Sequence, residues 1–239
     1  MRSIESRANQ TSRSIEVDVR DSSKVKFSTI SPPANLTWHQ CFEPSRLECA
    51  KLDVPLDYED PTGPRASIPL LKLPASSEPY QGMVLYNPGG PGATSIDPLL
   101  EDNRWLDQLS DVIGKTFDIV AWDPRGIGNS FPLMNCTPLA FGKAGRNRST
   151  EARSAEQSDG AFEEIMEVAE ATNTACQGDL NEAGSYMSTV VVAKDIAAIL
   201  DSFSISPGAA KLPDASLLNY WGCSYGTFIG QTFAPLYPD

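Results

Sequence analysis

From residue 36 onward, apolar positions gather in short blocks separated by turn-rich polar stretches, whereas residues 1–35 are polar, serine-rich and without periodicity. The first stretch therefore predicts a flexible N-terminal arm. Leu47 to Leu56 and Ala66 to Leu73 predict two short strands around the turn Asp60-Pro61-Thr62-Gly63-Pro64. Met83 to Asn87 is a continuous apolar run, the pattern of a strand covered on both faces, and it ends in Pro-Gly-Gly-Pro-Gly. Residues 97–109 place Leu99, Leu100, Trp105, Leu106 and Leu109 at near-helical spacing, with Asp97 and Pro98 as start signals. Phe117 to Trp122 predicts another buried strand, closed by Asp123-Pro124-Arg125-Gly126.

Beyond it, residues 131–150 are rich in Gly, Pro and Asn and predict irregular structure. Amphipathic helices are expected within 151–177, on Phe162, Ile165, Met166, Val168 and Ala169, and over 186–203, on Val191, Val192, Ile196, Ile199, Leu200 and Phe203. A last strand over 217–222 leads into a helix from 225. Strands alternating with helices in this order predict an α/β fold, a mostly parallel sheet with helices on both faces. The expected organisation is thus an arm over 1–35 and a folded portion over 36–239, with 131–185 as an irregular and helical insertion.

The strand-to-helix junction at the end of this pattern reads Gly222-Cys223-Ser224-Tyr225-Gly226. A serine in G-x-S-x-G sits on a sharp turn that lifts its Oγ above the sheet, and the following helix points free N–H groups at the site. Reactions that pass through a tetrahedral oxyanion need two converging N–H donors. Tyr225 can give one, and the loop Asn87-Pro88-Gly89-Gly90-Pro91-Gly92 the other, because its glycines let backbone approach a ligand closely.

These motifs are joined by Glu48 to Tyr58 (ECAKLDVPLDY), Phe117 to Gly128 (FDIVAWDPRGIG) and Tyr220 to Gly230 (YWGCSYGTFIG). Together they resemble the tripeptidyl aminopeptidase branch of the α/β-hydrolases, relatives of the prolyl aminopeptidases, from about residue 38 to the end. The resemblance implies an α/β-hydrolase fold, Ser224 as nucleophile, and Tyr225 and Gly90 as oxyanion donors. It implies that Gly222, Gly226 and Gly89 support the elbow and the loop, and that Asp123 and Arg125 brace the site. The implied reaction releases short peptides from free amino termini through an acyl-enzyme. An esterase, lactonase or thioesterase acting on a small metabolite would use the same oxyanion chemistry.

Similar family members place the catalytic Asp and His after the serine, so the resemblance implies a fold and triad incomplete after the nucleophile helix. The alternative is a non-catalytic remnant. The one histidine, His39, lies among Trp38, Gln40 and Cys41 before the first predicted strand, and nothing in the sequence aims it at Ser224. The nucleophile strand is expected to leave an apolar sheet edge that pairs with another chain or with a second copy.

Composition narrows the partners. Lys and Arg number 19 against 31 Asp and Glu, a formal charge of −12, which argues against nucleic acid or an anionic membrane and leaves a peptide or small acyl substrate. No cofactor is implied, since a nucleophile, a base and oxyanion donors suffice. None of the five cysteines has metal-site spacing, so no metal is expected. Cys41 with Cys49 and Cys136 with Cys176 are available as disulfides, leaving Cys223 beside the serine; buried free thiols are the other reading. The segment Met1 to Arg7 lacks the apolar core of a secretory signal. Four N-x-S/T sequons, at Asn9, Asn35, Asn135 and Asn147, together with the cysteine pairs, suit the secreted habit of similar proteins.

Overall fold

The computed structural model describes residues 26–42, 46–101, 103–134 and 161–238. Six strands form one sheet: β1 (His39–Cys41), β2 (Leu47–Pro55), β3 (Arg65–Leu73), β4 (Gly82–Asn87), β5 (Phe117–Trp122) and β6 (Asn219–Gly222). Their spatial order is β1-β2-β3-β5-β4-β6. The helices are α1 (Asp97–Glu101), α2 (Asn103–Ile113), α3 (Ala161–Leu180), α4 (Thr189–Ser204) and α5 (Tyr225–Leu236).

The apolar runs become strands because both sheet faces are covered. Along β5, Val120 and Trp122 turn to one face and Ile119 and Ala121 to the other; along β4, Met83 and Leu85 oppose Tyr86. The first face packs against Val192, Ile196, Ile199 and Phe203 of α4 and Ile229 and Phe233 of α5. The second packs against Leu99, Leu106 and Leu109 of α1 and α2. With helices on both faces, a strand has no polar side, so its sequence shows no alternation.

The expectation of a mostly parallel sheet needs correction. β1, β2, β3 and β5 pair antiparallel in succession, and only β4 runs parallel to its neighbours β5 and β6. The cause is loop length: β2 and β3 are joined by nine residues and β1 and β2 by five, too few for the crossover that parallel pairing requires. The folded body also starts earlier than residue 36, since Phe27 and Ile30 are buried in the second cluster and the Pro33 carbonyl accepts the Asp53 N–H at 3.0 Å. The short strand β1 was not anticipated. Cys41 and Cys49, on β1 and β2, are joined by a disulfide. Cys176 is disulfide-bonded, while Cys136 lies outside the described residues, as does 135–160 of the expected insertion. α3 forms where an amphipathic helix was expected, yet Phe162 is 60% exposed, and Ile165 and Met166 are exposed with it.

Adjacent strands β4 and β6 send their chains to opposite faces: β4 leads into α1 on one side and β6 into α5 on the other. That divergence marks their carboxyl ends, the position where open α/β sheets bind ligands.

One buried ion pair locks α4 to this frame. The Arg125 guanidinium, just past β5, donates from Nε to Asp195 Oδ2 at 2.8 Å and from Nη2 to Asp195 Oδ1. Its other N–H groups reach the carbonyls of Leu56 at 2.8 Å, Pro55 at 3.2 Å and Tyr186 at 3.3 Å. Tyr58 Oη donates to Asp195 at 2.8 Å. Both charged side chains are fully buried. Replacing Asp195 with Ala strands that cation without a counter-charge, and the expected loss is about 3–5 kcal/mol of folding free energy. Urea unfolding measures it; a loss below about 1 kcal/mol would show that the pair does not anchor α4.

Candidate active site

Ser224 lies at φ 50° and ψ −123°, between the last residue of β6 and the first of α5. A non-glycine residue in that region costs on the order of 1–3 kcal/mol and persists only where its surroundings over-determine it. Here they do. Cys223 N–H donates to the Asn87 carbonyl at 3.0 Å, Gly226 N–H to Cys223 O at 2.7 Å, and Thr227 N–H to Ser224 O at 3.0 Å. From below, Tyr220 Oη donates to the Gly226 carbonyl at 2.7 Å. Burial pushes the Tyr220 phenol well above its ordinary range, so it remains a donor. The glycines of the motif follow from crowding: a Cβ on Gly226 would stand 2.5 Å from the Asn87 carbonyl oxygen, and one on Gly222 would stand 2.6 Å from Gly226.

The loop after β4 meets this turn. Asn87 is buried; its Oδ1 accepts the Gly89 N–H at 2.9 Å and its Nδ2 donates to Ser95 Oγ at 3.2 Å. That hydrogen bond curls Gly89 and Gly90, at φ +111° and +132°, over the serine. An added Cβ on Gly89 would lie 2.7 Å from Ser224 Cβ and 3.0 Å from the Tyr225 nitrogen. Neither the Tyr225 nor the Gly90 N–H makes a backbone hydrogen bond among the described residues. Ser224 itself is exposed.

Asp123 is buried behind that loop. Its carboxylate accepts N–H groups from Ser95 at 2.9 Å, Ile96 at 3.2 Å and Asn129 at 3.1 Å. Burial pushes its carboxyl up, and the three donors pull it back. Lacking solvent contact, Asp123 acts on backbone: it ties down the far end of the glycine loop. Arg125, two residues on, is equally buried and faces α4.

Relatives with this sequence pattern are hydrolases. Tripeptidyl aminopeptidase of Streptomyces lividans is 28% identical over 226 residues, 86% of this chain and 36% of its own length. Serine protease Hip1 of Mycobacterium tuberculosis is 32% identical over 200 residues, 82% of this chain and 34% of its own. This chain belongs to the serine hydrolases of the α/β-hydrolase family.

The chain spans about a third of the length of these relatives. Carboxylesterase B of Mycobacterium tuberculosis is 34% identical over 113 residues, 42% of this chain and 20% of its own. No protein-family model matches the chain. A solved acetyl xylan esterase from a Thermoanaerobacterium species superposes with a TM-score of 0.44 at 18% identity, over 88% of this chain and 51% of its own, too loosely to argue from.

The elbow and the glycine loop come together at the carboxyl ends of β4 and β6, with Asp123 holding the loop from behind; Arg125 faces α4 instead, and His39 joins none of them. It sits on β1, five inter-strand spacings from β6, on the order of 24 Å across the sheet. Cys223 is an exposed free thiol beside the serine. Among the described residues no cluster of His, Cys, Asp and Glu could hold a metal ion, and no helix is long and apolar enough to cross a membrane.

Sequence reasoning missed Asp195, Tyr58 and the Asn87 side chain. Asp195 left a signal: it falls in the buried stripe of α4 beside Val192, Ile196 and Ile199, and a carboxylate there requires a buried partner. Asn87 opens the glycine loop and Tyr58 closes the segment Glu48 to Tyr58, but nothing in the sequence names the partners their side chains take.

Gly89→Ala tests the close approach. The expected outcome is a folded protein, destabilised by about 1–3 kcal/mol through the positive φ, whose Ser224 reacts with a fluorophosphonate at least tenfold more slowly. Wild-type labelling by a folded Gly89→Ala protein would mean the loop does not seat on the serine.

Proposed function

We propose that this chain supplies the nucleophile and the oxyanion hole of a serine peptidase that releases short peptides from free amino termini. The observation that carries the reading is Ser224 held at positive φ with Gly89 packed against Tyr225 N. Ser224 Oγ attacks the scissile carbonyl and its proton passes to a general base. The oxygen of the tetrahedral intermediate accepts the Tyr225 and Gly90 N–H groups. The C–N bond then breaks as the base returns the proton to the leaving amine, and water hydrolyses the ester on Ser224 by the reverse sequence. The aminopeptidase relative supports the peptide substrate, and the net negative charge suits a cationic amino terminus.

On this reading the general base is not His39. The chain's one histidine is held across the sheet from Ser224, and β6 has a single neighbour among the described strands. Trp221, on that strand, is 40% exposed, and Phe228, on α5, is 54% exposed. A further strand or a partner chain covering this edge would both bury them and reach Ser224. Peptide or acyl substrates, and not nucleic acid or membrane, are the ligands this reading assigns.

An esterase acting on a small acyl substrate is the second reading, favoured by the carboxylesterase relative over 42% of the chain. Protein from the cells that express it, in its native assembly, tests both. A fluorophosphonate is expected to label it on Ser224, and Ser224→Ala to abolish labelling. Cleavage of a tripeptidyl anilide at least tenfold faster than a matched acyl ester supports the peptidase; the reverse preference supports the esterase. A folded, native assembly whose Ser224 does not label overturns both and leaves a non-catalytic remnant.

A further inference from the structure

Two residues flank the nucleophile in sequence, and one of them has its side chain tied to another helix. Tyr225 Oη and Thr189 Oγ1 lie 2.8 Å apart, within hydrogen-bond distance. Thr189 is the first residue of α4, behind the cap Ser188, whose Oγ accepts the Val191 N–H at 3.4 Å. Tyr225 is the first residue of α5, so its N–H has no partner within its own helix. An N–H at that position is aimed only by what holds the residue that bears it.

The segment presenting Thr189 is held on both sides. Arg125 donates to the Tyr186 carbonyl, three residues before Thr189, and to the Asp195 carboxylate, six residues after it. A fully buried ion pair therefore fixes the first turn of α4, and that turn fixes the Tyr225 hydroxyl. On the side of β4, Asp123 holds Ser95 and Ile96, where the glycine loop ends. Asp123 and Arg125 belong to one loop after β5, so the two N–H groups are referred to a common support.

We propose that Thr189 is a positioning residue for the oxyanion hole: through the Tyr225 hydroxyl it sets the direction of the Tyr225 N–H relative to the Gly90 N–H. The proposal rests on the reading of Ser224 as nucleophile and goes beyond it by assigning a part to the side chain that follows the serine. Removing the Thr189 hydroxyl leaves the N–H in place but releases its aim. Loss of a whole oxyanion donor costs about 10²–10³-fold in rate, so a misdirected one is expected to cost about tenfold or somewhat more.

The test compares an ester with the matching thionoester, whose sulfur accepts oxyanion-hole hydrogen bonds poorly, on the native assembly. Thr189→Val is expected to lower kcat/KM for the ester about tenfold and that for the thionoester much less, narrowing the ratio between them. Thr189→Ser should restore the ratio. Tyr225→Phe should reproduce the Val effect, and the double variant should add little, because both remove the same hydrogen bond. Equal losses on both substrates, or no loss in Thr189→Val, overturn the proposal while leaving the proposed function standing. A wild-type assembly that turns over neither substrate overturns the proposed function itself. Hydrogen exchange of the Tyr225 amide then decides the positioning: faster exchange in Thr189→Val than in wild type supports it, and equal exchange overturns it.

Discussion

A guanidinium buried without solvent must spend every N–H on a protein acceptor, and Arg125 does so on one carboxylate and three carbonyls. Those acceptors belong to the end of β2, the turn after it, the segment before α4 and α4 itself. No apolar contact could hold four chain segments in one fixed relation, because dispersion has no direction, whereas a planar fork of donors does. The ion pair need not be a large net source of stability, since desolvating both charges offsets much of their attraction. Its contribution is geometric. α4 lies along the sheet as the apolar stripe of Val192, Ile196 and Ile199 dictates, and Arg125 fixes where along the sheet it stops.

Strain at Ser224 depends on the same frame. A serine at φ 50° relaxes unless the strand before it and the helix after it are both immovable. β6 is held by its pairing with β4 and by the Cys223 N–H on the Asn87 carbonyl. α5 is held by Ile229 and Phe233 against the core beside α4. The strained turn is thus the meeting point of two rigid elements, and the glycines around it are what close packing leaves room for. Asn87 serves both sides, with its main-chain carbonyl on the elbow and its side-chain carbonyl on the loop.

How much of this could be read in the chain depends on how local each cause is. The strands at 117–122 and 66–73 and the helix at 189–204 were legible because burial on two faces, or on one stripe, writes itself into composition and period. The elbow was legible because G-x-S-x-G encodes a local steric demand. Strand direction was less so: the nine residues between β2 and β3 imply antiparallel pairing, but the antiparallel match of β3 to β5 joins residues some fifty positions apart. β1 is three residues long and owes its place to pairing with β2 more than to any pattern of its own. The partnership of Arg125 with Asp195 spans seventy positions, and only the anomaly of a carboxylate in an apolar stripe announced that a partner existed.

The division of labour at the site follows from these distances. On the proposed reading, every group that would stabilise developing negative charge is a backbone N–H placed by a turn, and both turns sit at the carboxyl ends of neighbouring parallel strands. Such donors need no titration and no reorganisation, so they are fully formed once the sheet and its two helix layers are. A general base is different in kind, because it must be a side chain of suitable pKa within hydrogen-bond reach of Oγ. β4 and β6 can deliver the donors by pairing alone, but His39 is held on β1 at the opposite edge by antiparallel pairing with β2. Moving it to Ser224 would require dismantling the sheet that positions the elbow and the glycine loop. If the proposed reading holds, the geometry that places the two N–H donors therefore keeps the chain's one imidazole away from Ser224, and the β6 edge is the side from which a base can approach.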